Sequence, residues 1–367
     1  MSLSTALQVI LLGFIGGILS GFIGSGGAFF MTPGMMNLGV MGPVAVASNI
    51  THKFGKAMIG SRKHSELGNV DKKLAFFMLI TAFAGIRLAV WVMKILFNTE
   101  GDSHGVGGGA GADLYISLVF AVVLSVVAIS MLRDIAKTRR SAGTGPSMRV
   151  VQFLSRLKLH PIISFHVADV RVSLWVILIC GLATGYLAGT IGVGGFIGVP
   201  AMIYIFGVPA TVAAGSELYL AMFMGAWGAL NYAFEGMVDI RLTILLYIGS
   251  LLGIYIGAYG TKVVKEVVIR LVTSIIILLC VLSRIVAIPV YLEKLGYLDM
   301  DPSKDVYFNV ASKSLLYLSG IAGALIIFCY VMKAYFKRRK IQASLTFAPA
   351  LTGAAKGANA RASRTGQ

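Results

Sequence analysis

Residues 21–33, GFIGSGGAFFMTP, and residues 189–200, GTIGVGGFIGVP, set clustered glycine and a proline inside long apolar runs. The chain is 57% hydrophobic and only 13% charged, and several runs approach the roughly 20 residues a helix needs to cross a bilayer. An all-α polytopic membrane protein is expected. A helix break at membrane depth leaves backbone groups without partners, and it is tolerated only where it is buried in protein or lines an aqueous cavity. These two breaks therefore restrict the fold more than the runs around them.

The two stretches belong to a repeat at an offset of 168 residues. Gly13, Gly17, Gly21, Gly24, Gly26 and Gly27 fall on Gly181, Gly185, Gly189, Gly192, Gly194 and Gly195. Further along, Ser48 falls on Ser216 and GNVD (68–71) on GMVD (236–239), which a merely glycine-rich composition does not explain. Each unit reads as five apolar elements, 5–24, 27–41, 43–62, 73–97 and 113–133, then 172–192, 195–207, 210–234, 241–262 and 266–290. The second element of each unit is too short to span. The predicted organisation is a first transmembrane repeat (1–133), a basic cytoplasmic loop (134–171), a second repeat (172–290), an external loop (291–311), an extra transmembrane helix (312–336) and a basic tail (337–367) expected to be disordered. The first apolar run, Leu7 to Gly24, has no basic segment before it and no small-residue cleavage site after it, so it reads as the first membrane element and not as a cleaved signal peptide.

Lys and Arg crowd 62–73, 133–171, 262–270 and 333–340, whereas 98–113 and 291–305 are rich in Asp and Glu. The positive-inside rule makes the first four cytoplasmic and the last two external. GNVD is then inside and its copy GMVD outside, which requires an odd number of crossings per unit and inverted halves; parallel repeats are the alternative. The segment MRVVQFLSRLKL (148–159) reads as a helix on the inner membrane surface or as an ordinary connection. The net charge of +17 does not indicate nucleic acid, because the basic residues sit at the ends of apolar runs and in polar segments. Cys180, Cys280 and Cys329 form no CxxC pair and read as packing residues.

At each break a restarting helix puts free N–H groups and the positive end of its dipole near the membrane centre, which is an anion site. Paired interrupted helices in inverted halves point to a transporter's binding site. Gly24, Ser25, Gly26, Gly27, Gly192, Gly194 and Gly195 are the candidates there, and Pro33 and Pro200 shape the short helices. Gly13, Gly17 and Gly21, their copies, and Gly249, Gly253 and Gly257 instead form small-xxx-small packing faces. No GxGxxG fingerprint or GxxxxGK[ST] loop is present, so ATP is not the energy source.

Within PVAVASNITHKFGKAMIG, Asn49, His52, Lys53 and Lys56 share one helical face at spacings of three and four. Lys53 lies midway between Pro43 and Arg62, and intramembrane ionisable groups are functional by default. The copy carries Glu217 opposite Asn49, as a proton relay or as a structural ion pair. Ser48 and Ser216 flank these faces. Arg87, near the middle of its run, can grip an oxyanion or pair with a protein carboxylate. Lys94 and Arg284 lie nearer helix ends and are expected to snorkel; His104 is expected to be solvated. No metal or cofactor is indicated, and no grouping suggests an enzyme.

At GFIGSGGAFFMTP, GTIGVGGFIGVP and the repeated G-x-V-D the chain resembles the sulfite exporter TauE/SafE family of bacterial membrane transporters. The likeness covers most of 7–290. It implies a multi-pass protein of the bacterial cytoplasmic (inner) membrane that exports small sulfur oxyanions or organosulfonates, such as sulfite or sulfoacetate, driven by the proton gradient or by the substrate's own. The family's pattern carries onto Gly24, Gly26, Gly27, Gly192, Gly194 and Gly195. The long middle loop, the last helix and the basic tail depart from the compact form. The expected partners are a small anionic substrate and the bilayer, with a homo-oligomer left open. The leading expectation is an alternating-access anion transporter; an anion channel and a non-transporting scaffold or sensor are the alternatives.

Overall fold

The computed structural model describes residues 2–23, 28–98, 109–140, 160–192, 194–264 and 266–362. Among them are eleven helices and one two-stranded hairpin. The first half holds α1 (Leu3–Ile23), α2 (Ala28–Asn37), α3 (Gly42–Glu66), α4 (Lys72–Asn98) and α5 (Ala110–Arg140). An antiparallel hairpin of β1 (Ile162–Phe165) and β2 (Val170–Ser173) follows. The second half holds α6 (Leu174–Ile191), α7 (Gly195–Tyr204), α8 (Ala210–Phe234), α9 (Ile240–Val263) and α10 (Glu266–Lys294), and α11 (Pro302–Ala362) closes the chain. The ten repeated elements match the apolar runs within a few residues at most ends. α2 and α7, with 10 residues each, rise only about 15 Å at 1.5 Å per residue, half a hydrocarbon core.

Seven helices, α1, α4, α5, α6, α9, α10 and α11, are long and apolar enough to cross a membrane. The chain is a multi-pass membrane protein. α3 and α8 are also long, 25 residues each, and they pack on each other; α3 is the more polar of the two.

α1 lies along α9 and α4 lies along α6, in both cases with the chains running the same way. Gly13, Gly17 and Gly21 bring α1 so close that a Cβ at Gly17 would sit 2.5 Å from the Ser250 carbonyl oxygen. Gly181, Gly185 and Gly189 do the same for α6 against Met78, Ala82 and Ala89. These are the small-residue faces expected from sequence. α3 and α8 instead cross antiparallel, with Ile50 against Gly228, Phe54 against Gly225 and Leu218 against Gly60. The packing scheme survives exchange of the halves: α1 on α9 becomes α6 on α4, α2 on α3 becomes α7 on α8, and α3–α8 and α5–α10 map onto themselves.

The G-x-V-D repeats start α4 and α9. The Asp239 carboxylate accepts from the N–H groups of Arg241 (2.8 Å) and Leu242 (3.2 Å), and that of Asp71 accepts from Leu74 (3.0 Å) and Ala168 (3.1 Å). Each satisfies donors that a helix start leaves open. Across the halves, the Asp71 N–H donates to Ser216 Oγ (2.9 Å), and Ser48 Oγ donates to the Asp239 carbonyl (3.4 Å).

Two expectations are corrected. Arg284 does not snorkel: it is fully buried, donating to Asn37 at the end of α2, to Ser312 Oγ of α11 (3.1 Å) and to Tyr291 Oη (3.5 Å). The α11 helix packs on the bundle and removes the water a snorkelling arginine would need. Lys94 pairs with Glu235, 2.7 Å away and just past the end of α8, with its side chain 46% exposed. Residues 337–362, expected to be disordered, continue α11 as helix, with no glycine or proline stop where the apolar run ends at Lys337. The expected surface helix at 148–159 and His104 lie outside the described residues.

Gly17→Val should press a side chain into the α9 backbone and lower the melting temperature of the purified protein, an overpacking cost of about 1–3 kcal/mol or more. Asn37→Ala should leave the buried Arg284 guanidinium short of an acceptor and cost about 1.5–3 kcal/mol, read in the same melt.

Candidate functional site

The face of α3 that carries Asn49, His52, Lys53 and Lys56 turns into the bundle, and the antiparallel crossing brings Glu217 of α8 to it. Lys53 Nζ lies 4.0 Å from Glu217 Oε1, with the two side chains 13% and 3% exposed. Neither carboxylate oxygen of Glu217 has a hydrogen-bond partner among the described residues. A buried carboxylate is costly without compensation, so the lysine is its main support.

The second glycine break is folded around this pair. α6 ends at Ile191, and Gly192 takes the left-handed conformation (φ 75°, ψ 8°) that closes a helix. Gly194 precedes α7 in right-handed helical geometry, no side chain caps the first turn of α7, and Gly195 opens it. A Cβ on Gly194 would stand 3.2 Å from Lys53 Nζ, and one on Gly192 would stand 3.1 Å from Asn49 Nδ2. One turn into α7, Gly198 lies directly against the Glu217 carboxylate, where a Cβ would overlap it. The glycines thus let backbone reach charged side chains on α3 and α8.

The break is also tied to the first half. Asn49 Nδ2 donates to Thr32 Oγ1 (2.8 Å), and Thr32 Oγ1 donates to the Ile191 carbonyl (3.2 Å), one of the acceptors a helix C-terminus leaves open. Gly24, Ser25, Gly26 and Gly27, the first break, lie outside the described residues.

From Lys53 a cavity of about 530 Å³ runs between α1, α3 and α9, with Leu218 of α8 on its wall. Asn49, His52, Lys53, Lys56 and His64 line its basic side; Glu217 stands behind Lys53 and is not part of the lining. Lys56 Nζ donates to Ser20 Oγ (2.7 Å). His52 Nε2 is 2.6 Å from Ser250 Oγ, and its ring centroid is 4.7 Å from that of Tyr247. Tyr247 Oη accepts from the Gly55 N–H (2.9 Å) and donates to the Thr51 carbonyl (3.2 Å), which fixes this stretch of α3 to α9.

The remaining sequence candidates are elsewhere. Arg87 is exposed on α4 and donates to Asn231 Oδ1 of α8 (3.0 Å); it does not line the cavity. Ser48 and Ser216 are buried in the inter-half contacts with the G-x-V-D segments and do not line it either. Thr32, Ser20, Ser250, Tyr247, His64 and Gly198 were not singled out from sequence. Each is a polar or small residue in its run, and apart from His64 each meets its partner on another helix.

Residues 9–284 match the family described as Sulfite exporter TauE/SafE. The probable membrane transporter protein YjnA of Bacillus subtilis is 26% identical over 258 residues, 69% of this chain and 89% of that protein. YdhB of the same organism, also a probable membrane transporter protein, is 24% identical over 272 residues, 72% and 94% of the two chains. A probable membrane transporter protein of Xylella fastidiosa is 24% identical over 264 residues, 71% and 85%. No solved structure matches the chain. The matched stretch takes in everything from α1 to most of α10, and the chain belongs to the TauE/SafE sulfite exporter family of membrane transporters.

Proposed function

We propose that this chain exports small sulfur-containing anions, sulfite or organosulfonates, across the bacterial cytoplasmic membrane by alternating access, two inverted halves rocking about the α3–α8 crossing. The observation that carries the reading is Lys53, held at the crossing between the α7 N-terminus and Glu217, at the head of a basic cavity without a carboxylate in its lining. An anion arriving there finds an ammonium and the positive end of a short helix. The antiparallel run of the repeat-related α3 and α8 supports inversion, because a parallel repeat would set them in the same direction.

Glu217 gives the site a means of coupling. When an anion takes Lys53, the carboxylate loses its support and must be neutralised in another way. A proton serves, and it leaves with the anion, so the anion's own outward gradient drives export and the pH gradient modulates its rate. An ion pair of purely structural use would not need both carboxylate oxygens to lack hydrogen bonds.

The test is uptake of labelled sulfite into proteoliposomes of the purified protein, with sulfoacetate and thiosulfate as competitors, with and without a pH gradient. Saturable uptake that responds to the gradient is expected. Lys53→Gln should reduce it about tenfold to a hundredfold, the loss of one charged hydrogen bond; an unchanged rate and affinity would remove Lys53 from the site. Glu217→Gln should keep anion exchange but lose the response to the gradient, and a retained response would remove Glu217 from coupling.

A further inference from the structure

Equivalent residues of the two halves stand in different states of contact. In the second half Tyr232, fully buried on α8, donates its hydroxyl to the Gly189 carbonyl of α6 (2.6 Å). Trp227 Nε1, also on α8, donates to the Phe83 carbonyl of α4 (3.2 Å). The 168-residue offset maps the first pair onto His64 and Gly21 and the second onto Ile59 and Leu251. All four of these counterparts line the cavity between α1, α3 and α9. The contacts that join α8 to α6 and α4 thus correspond to residues around an open space in the other half.

Ile59 has no side-chain donor to offer a carbonyl, so of the two counterpart pairs only His64 and Gly21 can rebuild such a bond. Gly21 lies in the last turn of α1, as Gly189 does in α6, where a helix leaves carbonyls without intrahelical donors. His64 Nδ1 is buried and has no hydrogen-bond partner among the described residues. Such a nitrogen is costly, and a second arrangement that pairs the ring accounts for it. The hydrogen bonds of α3 to α1 and α9 are made at Thr51, His52, Gly55 and Lys56, about two turns or more before His64. His64 lies beyond them, at the C-terminal end of α3.

Resting on the rocking of inverted halves proposed above, we infer that these two pairs are alternating latches, Tyr232 on the Gly189 carbonyl at the outer side and His64 on the Gly21 carbonyl at the inner side. The outer latch is closed in this structure and the inner one is open. As the halves rock, α1 approaches the C-terminal end of α3, the imidazole N–H donates to Gly21, and Tyr232 releases Gly189. Both carbonyls fall just before a glycine break, so each latch fixes the helix end that borders the site when its own side is shut.

The experiment follows the reaction of a single thiol with an impermeant maleimide added outside right-side-out membrane vesicles. The full chain carries Cys180→Ala, Cys280→Ala and Cys329→Ala, with Met224→Cys as the reporter. Met224 is buried here and corresponds by the repeat to Lys56 on the cavity wall, so its exposure reports opening of the outer side. Tyr232→Phe, which keeps the ring and loses the donor, should raise the labelling rate about twofold to tenfold, the worth of one neutral hydrogen bond. His64→Leu should lower it by a similar factor, and His64→Tyr, which supplies the hydroxyl of the other half, should not lower it. A merely structural role would move both variants in the same direction. A raised rate in Tyr232→Phe with an unchanged or raised rate in His64→Leu would overturn the inner latch and leave the rocking halves standing. An unchanged rate in Tyr232→Phe would overturn the outer latch. No labelling of the Met224→Cys chain from outside, while Ala57→Cys on the cavity wall is labelled in inside-out vesicles, would overturn the rocking as well.

Discussion

Lys53 and Glu217 can be kept inside an apolar bundle only together, and much of the central architecture serves that requirement. Their 4.0 Å approach exists because α3 and α8 cross antiparallel at small residues, Gly225, Gly228 and Gly60, which bring the two backbones close. With ordinary side chains there, the helices would stand further apart and each charge would be left alone in low dielectric. The same crossing lets α3 carry more polar residues than its neighbours.

The glycines between α6 and α7 follow from the same economy of space. Gly198 gives the Glu217 carboxylate room against α7, Gly194 does so for Lys53, and Gly192 turns the chain between α6 and α7 with a left-handed conformation. The polar groups released by the end of α6 are taken up from the other half, through Thr32 and Asn49. A change in one half is therefore felt at the break in the other. The Ser48–Asp239 and Asp71–Ser216 contacts tie the halves together as well, one at each end of the crossing.

Beyond the family match, α11 adds a covering layer. It seals Arg284 through Ser312, and its Gly320 rests against Phe30 of α2, the short helix after the first break. The buried guanidinium is held by neutral partners, Asn37, Ser312 and Tyr291. The helix that follows the first break is thereby fastened to α10 and α11. The second short helix, α7, packs instead on α6 and α8. The two short helices thus pack against different neighbours.

By itself the sequence determined the helical elements and which polar residues share one face of α3. Hydropathy set the helix bounds, the repeat set the pairing of motifs, and the three- and four-residue spacing of Asn49, His52, Lys53 and Lys56 put them on one face. Those signals are local or periodic, so one chain suffices to read them. Only the tertiary structure decided what each polar residue meets. Arg87 and Arg284 look alike within their runs, yet α4 turns the first outward to Asn231 while α11 buries the second. Ser48 and Ser216 lie beside the site residues in sequence but point to the opposite half's capping loops, one residue being about 100° of helix. The apolar wall facing the lysines comes largely from α8 and α9, far along the chain, so the shape and chemistry of the cavity arise only when the two halves pack.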